Sequence, residues 1–362
     1  MSAADPSGGG EAGRTVEEVL LGGGRVWTRR DVVERTGVGA ERTAQLWHAL
    51  GFPVVEDDAR VFTDADVEAL RAGERLIGVG LITEESETVM ARALGHHLSR
   101  LAEWQVSTLW AWMSRVPGAP ATGGRPVDHA AALLPELELL QRHVWRRHLA
   151  AYAGRMVTET RQGASAGGRR GAAAGGPVPA RVDADVRDLA VGFTDMVGYT
   201  RMTRGLDSAE LGRVLDRFEG LTGDVVAEGR GRVVKTIGDE VFFVSESASE
   251  AAGIALELTA RVEADQRLPR VRTGLAHGAV LSRFGDVYGA AVNIAARLTG
   301  VARPGTVLVD TVFAGELAGL AGYELRALRP VSVRGYSRLR PVLLRPPRAP
   351  RPGRERASHG TR

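Results

Sequence analysis

The sequence predicts an α+β protein in two parts, an all-α N-terminal domain followed by a mixed α/β domain. Three observations carry this. The hydrophobic period changes from helical to strand-like near Arg187. All six tryptophans (Trp27, Trp47, Trp104, Trp110, Trp112 and Trp145) precede the change. A Gly/Ala-rich stretch ending in Pro177-Val178-Pro179 separates the two patterns. The 362 residues are ample for two hydrophobic cores.

Charged residues make up 25% and hydrophobic ones 44%, the range of an ordinary soluble protein, and no apolar run approaches the ~18 residues of a membrane span. The first residues carry neither a basic nor an apolar signal region, so a cytoplasmic location is expected. The absence of cysteine excludes disulfides and thiolate metal sites, leaving carboxylates or histidines to hold any metal. A net charge of +3 is small for this length and argues only weakly for nucleic acid, which is not expected as a partner.

Taken in order, residues 1–13 are Gly/Ser/Ala-rich and expected to be disordered. Residues 14–153 form the helical domain. Helices over Thr28–Glu34 and Ala40–Trp47 flank the turn Thr36-Gly37-Val38-Gly39, and Thr63 caps the next helix above an acidic first turn. Longer helices follow over Glu84–Met113 and from Pro135 to about Tyr152. The helix-turn-helix invites a DNA-binding reading in which Arg42 enters a major groove, although such a unit is also a common packing motif. Trp104, Trp110 and Trp112 read as core packing or a subunit contact, and His96, His97, His143 and His148 as solvated helix faces or as a pH sensor. A flexible linker is expected over 154–182, and a basic, proline-rich, disordered tail over 345–362.

Residues 183–344 make the second domain. Leu189–Phe193 is a buried strand that runs into Thr194-Asp195-Met196-Val197-Gly198. Ser208 caps an amphipathic helix with Leu211, Val214, Leu215 and Phe218 on one face. Gly231–Ser245 reads as a hairpin with Gly238-Asp239 at its turn, followed by a helix over Ser249–Asp265 and a strand over Val271–His277. The helix after Gly289 carries Asn293 and Arg297 on one face. Further strands lie at Thr306–Val309 and near Val331–Gly335.

Lys235 is the sole lysine; the other basic residues among the 47 are arginines. A compact ammonium is not interchangeable with a planar guanidinium, so a position that keeps lysine against this bias has a use for it. Asp195 and Asp239, at a strand end and a hairpin turn, suit a hard cation such as Mg²⁺ or Mn²⁺ that completes its shell with phosphate oxygens. The backbone N–H groups after Asp195 suggest a phosphate cradle at Val197 and Gly198. Asn293 and Arg297 suit a ribose and a reacting phosphorus.

These residues fall in three blocks: F-T-D-M-V-G-Y-T from Phe193, V-V-K-T-I-G-D-E from Val233, and G-D-V-Y-G-A-A-V-N-I-A-A-R-L from Gly285. With them, the region from about Arg187 to Leu344 resembles the class III nucleotidyl cyclase catalytic domain, a ferredoxin-like, palm-type α/β fold. The resemblance implies an adenylate cyclase that converts ATP to 3′,5′-cyclic AMP and pyrophosphate. It implies two Mg²⁺ or Mn²⁺ ions per active site, held by Asp195, Asp239 and the Met196 backbone. Lys235 and Asp286 would read adenine, Asn293 would orient the ribose and Arg297 would stabilise the transition state. Arg334 falls where many members carry a phosphate-binding lysine. A homodimer with shared active sites is implied, one protomer giving the metal aspartates and the other the base, ribose and transition-state residues. The first domain resembles, on Leu46–Pro53 and Val61–Val67, the helical regulatory region of actinobacterial-type cyclases, with a small molecule, a lipid or a proton as its effector. Two other readings stay open: a catalytically silent ATP-binding sensor, and a DNA-binding regulator with a cyclase-like sensor domain.

Overall fold

Three threonines set where helices begin in the N-terminal unit of the computed structural model, which describes residues 14–113, 126–166 and 185–347. Thr15, Thr28 and Thr63 each close a capping box with an acidic residue three positions on, satisfying donors that the first helical turn leaves free. They open α1 (Val16–Leu20), α2 (Arg29–Thr36) and α4 (Asp64–Gly78), with α3 (Ala40–Ala49) following α2. Gly37, at φ 76°, ends α2 in the left-handed conformation that glycine adopts without a Cβ penalty. A β-bridge between Trp27 and Phe62 closes this bundle over Val32, Phe62 and Val67. The structure favours the packing reading of the helix-turn-helix over the one in which Arg42 reads a groove. Its side chain is only 17% exposed and pairs with Glu74 at 2.5 Å, with Glu84 at 3.5 Å and with Glu87, tying α3 to α4 and to α5 (Glu84–Met113). The outward residues Glu41, Gln45 and His48 of α3 line a cleft of about 570 Å³ together with Thr88 and Arg92 of α5, so α5 stands beside the face that would enter a groove.

The last helix of this unit, α6, runs Pro126–Ala166 with Pro135 inside it. It begins before the expected Pro135 and continues into the segment expected to be a linker, which is therefore helical as far as Ala166. Trp104 is 62% exposed and does not belong to a core. The side chains of Trp110 and Trp112, the segment 1–13, the linker beyond Ala166 and the tail beyond Pro347 lie outside the described residues. His96, His97, His143 and His148 are all exposed.

The second unit, Arg181–Arg362, is built on a sheet ordered β2-β3-β1-β4-β6-β10-β7, with β5 added to β4. In chain order its elements are β1 (Asp185–Met196), α7 (Tyr199–Met202), α8 (Ser208–Glu228), β2 (Arg232–Ile237), β3 (Glu240–Ser245), α9 (Ala248–Ala264), β4 (Val271–Arg283) and β5 (Asp286–Tyr288). There follow α10 (Ala290–Val301), β6 (Val307–Val309), α11 (Thr311–Glu316), β7 (Glu324–Ala327), β8 (Val331–Val333), β9 (Tyr336–Leu339) and β10 (Val342–Arg345). Asp207 rather than Ser208 caps α8, accepting from the Glu210 N–H at 2.8 Å, because the carboxylate stands one residue earlier in extended backbone. Ser247 likewise caps α9, two residues before the expected start.

Alternation along the central strands divides the apolar residues between two faces. Ala190, Phe243 and Leu275 face α8 and α9, whereas Val191, Phe193, Phe242 and Ala276 face α10. Phe193 and Phe242 stack with centroids 4.4 Å apart. Gly274 lets α10 lie close on β4, since a Cβ there would stand 2.3 Å from the Ala295 carbonyl oxygen. Helix α10, the carrier of Asn293 and Arg297, is thereby fixed against the sheet.

Candidate active site

The even/odd rule that places Val191 and Phe193 on the α10 face places Asp195 there too. In register, Asp195 stands opposite Glu240 on one side and Arg272 on the other. Arg272 donates from Nε at 2.8 Å and Nη2 at 2.6 Å to Asp195 Oδ2, and from Nη1 at 3.1 Å to the Gly300 carbonyl at the end of α10. Asp239 comes from the two-residue turn between β2 and β3, where Gly238 has φ 63°. The Met196 N–H donates to the Asp239 carbonyl at 3.2 Å, clamping the turn to the end of β1.

Like charges are thus gathered at this end of the sheet. Burial and the neighbouring Asp195 charge push the Asp239 carboxyl up to about 6, and burial with Asp195 and Asp239 pushes Glu240 up to about 7. The oxygen donors of Asp195 and Asp239 are of the kind that suits a hard divalent cation. Among the described residues no group of three or more His, Cys, Asp or Glu side chains would hold a metal unaided, so a cation here would take part of its shell from phosphate or water. At the phosphate cradle expected at Val197 and Gly198, one of the two backbone donors is already engaged. The Val197 N–H is bonded to the Arg270 carbonyl at 2.8 Å, and the helix after Gly198 is a single turn.

Lys235 reaches the α10 face through an irregularity. Val233 pairs with Phe243 but Lys235 pairs with Phe242, so a bulge at Val234 inserts one residue. Uninterrupted alternation would turn Lys235 to the same face as Val233; the bulge instead sets it beside Phe242, its ammonium 6.0 Å from the ring centroid. There Lys235 Nζ donates to Asp286 Oδ2 at 2.5 Å, and Asp286 Oδ1 accepts from the Val287 N–H at 2.8 Å. Burial alone would raise the Asp286 carboxyl, but the Lys235 and Val287 donors outweigh it and hold the group below the ordinary carboxylate range.

Asn293, Arg297, Arg334, Gly335 and Tyr336 line a cleft of about 360 Å³. Arg334 reaches it from the β8–β9 turn, where Gly335 has φ 86°. The expected ribose, transition-state and phosphate residues therefore meet, and none of Asp195, Asp239, Lys235 or Asp286 lines that cleft. Sequence reading passed over Arg272, Glu240 and Tyr336. Arg272 and Glu240 were accessible only through strand register, and no local signal marked Tyr336.

Comparison with known proteins gives two family matches. Residues 183–345 match the adenylate and guanylate cyclase catalytic domain, and residues 15–145 match the adenylate cyclase regulatory domain. An adenylate cyclase of Streptomyces coelicolor is 39% identical over 83% of this chain and 74% of its own length. One from Glutamicibacter nicotianae is 36% identical over 91% and 81%. A pH-sensitive adenylate cyclase of Mycobacterium tuberculosis is 34% identical over 84% and 74%.

Proposed function

The chain belongs to the class III adenylate and guanylate cyclase family, with a helical regulatory region before its catalytic domain, and from that premise we propose that it converts ATP to 3′,5′-cyclic AMP and pyrophosphate. The observation that carries the choice of base is the pairing of Lys235 with Asp286 at 2.5 Å. A donor beside an acceptor matches the N1 acceptor and N6 amino donor of adenine, and guanine presents the opposite pattern at those edges. Leaving either group unpaired by the wrong base is the basis of discrimination. Curated relatives aligned over 83–91% of this chain carry the name adenylate cyclase, which supports the same reading.

Asp195, Asp239 and the Met196 carbonyl would hold two Mg²⁺ or Mn²⁺ ions, which would supply the positive charge that lowers the pKa of the ribose 3′-hydroxyl and clamps the phosphates. Asn293 orients the ribose. Arg297 holds the charge that develops on the α-phosphate during in-line attack, and Arg334 in the same cleft binds the phosphates being released. The cleft holding these groups contains neither metal-binding aspartate, which favours a site completed by a second copy of the chain, with two equivalent sites in a homodimer.

Helices α1–α6 regulate the catalytic unit by biasing the dimer between open and assembled states, in response to a small molecule, a lipid or a proton. Among the described residues no helix is long and apolar enough to cross a membrane. The inward-turned Arg42 and the α5 helix beside α3 weigh against the DNA-binding reading.

The decisive assay follows cyclic nucleotide formed from ATP or GTP with Mn²⁺ by the full chain, by Asp195→Ala, by Arg297→Ala and by the two variants mixed. Each variant alone should be inactive and the mixture should recover one site per dimer. No rescue by the mixture would sink the shared site, and no product from the unaltered chain would leave the silent-sensor reading in its place.

A further inference from the structure

Strand β2 has β3 as its ladder partner and β5 pairs with β4, so no backbone ladder joins β2 to the β4–β5 hairpin among the described residues. Side chains bridge the gap instead. Arg232, the first residue of β2, donates from Nη1 to the Gly285 carbonyl at 3.1 Å. Three positions further along the same strand, Lys235 donates to Asp286, the residue after Gly285. The hairpin turn between them is Phe284-Gly285, with φ 52° and 78°. The left-handed conformation disfavours a bulky residue such as Phe284, so this turn gains from being held by an outside contact.

The two links have different fates when a base enters. In the reading above, Lys235 gives its donor to the base and Asp286 gives its acceptor, so their mutual bond is exchanged for two bonds to the ligand. The Arg232 bond is made to a backbone carbonyl and takes no part in that exchange. It leaves the turn anchored to β2 while the bond beside it opens.

We infer that Arg232 is a positioning residue for base recognition: by holding the Gly285 carbonyl it sets the spacing of Asp286 from Lys235 and so tunes the preference for adenine over guanine. This rests on the proposed roles of Lys235 and Asp286. A fixed spacing matters because two hydrogen bonds to one planar base are made together only if donor and acceptor stay at the separation of its edge. A looser turn lets the pair widen and admits alternatives. Since Arg232 touches neither the reacting phosphorus nor the ribose residues of the cleft, its loss should appear in substrate binding rather than in the chemical step.

The test uses the full chain with R232M, which keeps an apolar stem but no donor, and R232K, whose ammonium still donates to a carbonyl. R232M is expected to raise KM for ATP roughly tenfold and to shrink the ATP-over-GTP ratio of kcat/KM by about tenfold, with kcat at saturation within about twofold. R232K is expected to recover most of both. The inference is overturned if R232M keeps wild-type KM and nucleotide preference. It is equally overturned if R232M lowers kcat for both nucleotides alike with a falling melting temperature, the pattern of a merely structural residue, or if R232K rescues nothing. Absence of cyclic AMP from the unaltered chain would instead remove the proposed function, and this inference with it.

Discussion

The hairpin β2–β3 supplies one member to each of two charged pairs, and they are built on opposite electrostatics. Lys235 and Asp286 are mutually compensated: the ammonium holds the carboxylate ionised against the cost of its burial. Asp195 and Asp239 have like charge, and the turn carboxyl rises to about 6 because burial and its neighbour disfavour ionisation. The first pair is mutually satisfied before any ligand arrives. The second stores repulsion that a bound cation would relieve. Arg272 covers part of that deficit by donating twice to one oxygen of Asp195, and leaves Asp239 and Glu240 without comparable help.

The largest effect expected from this contrast is on catalysis at the like-charged pair. Asp239→Asn should reduce cyclic AMP formation by about 10²-fold or more, yet raise the melting temperature of the metal-free protein by removing the repulsion. A variant that is inactive and also less stable in EDTA would break the comparison. At the compensated pair the same kind of change should act on choice of substrate. Lys235→Glu should lose the preference for ATP by a factor of about 10–10² in kcat/KM relative to GTP, and unchanged selectivity would overturn its base-reading role.

The pH dependence of stability should differ as well. A carboxyl whose folded pKa is raised binds more protons folded than unfolded, so its contribution is fully present below the unfolded value. It is lost as pH rises through the folded one. For Asp239 and Glu240, with ordinary values of 3.8 and 4.5, metal-free stability should therefore fall between about pH 4 and pH 7. Mn²⁺ should reverse the fall at pH 7 and have little effect at pH 4, where protons compete for the same oxygens. Thermal melts across pH with and without Mn²⁺ check both signs, and Asp239→Asn should flatten the slope.

The smallest effect is expected in the other unit, where Arg42 faces three carboxylates that help one another little. Arg42→Met should cost about 1–3 kcal/mol of stability, less than a fully buried pair because Glu84 and Glu74 retain solvent. It should leave the affinity of the chain for duplex DNA unchanged. A salt-dependent gel shift in the unaltered chain that disappears in this variant would restore the DNA-binding reading.

Much of the candidate site was legible because its signals are local. Asp195 follows a buried apolar run, Gly238-Asp239 sits between two alternating strands, and Asn293 and Arg297 share a helix face whatever the helix packs against. Apart from α6, the expected helix starts were legible to within two residues: Thr63 was read correctly, and Asp207 displaced Ser208 because either side chain can cap. The course of α6 was obscured by Pro135, which reads as a start but lies within a helix beginning at Pro126. Glycines and alanines after Gly154 suggested a linker where the helix continues to Ala166. The groove-reading alternative for Arg42 stayed open because its carboxylate partners lie on two later helices, too far along the chain for any periodicity to reveal.

What the sequence by itself determined is the inventory: two aspartates at strand ends, one lysine kept against an arginine bias, and an Asn and an Arg one helical turn apart. The tertiary structure decided which of these meet. A bulge at Val234 turned Lys235 onto the α10 face and so toward Asp286. Register between β1 and β4 set Arg272 against Asp195, and the β8–β9 turn brought Arg334 to Asn293 and Arg297. The division has a physical cause. Backbone propensity and side-chain period act over a few neighbouring residues, whereas strand register is settled by which distant segments bury each other's apolar faces, and a shift of one residue exchanges every side chain between them.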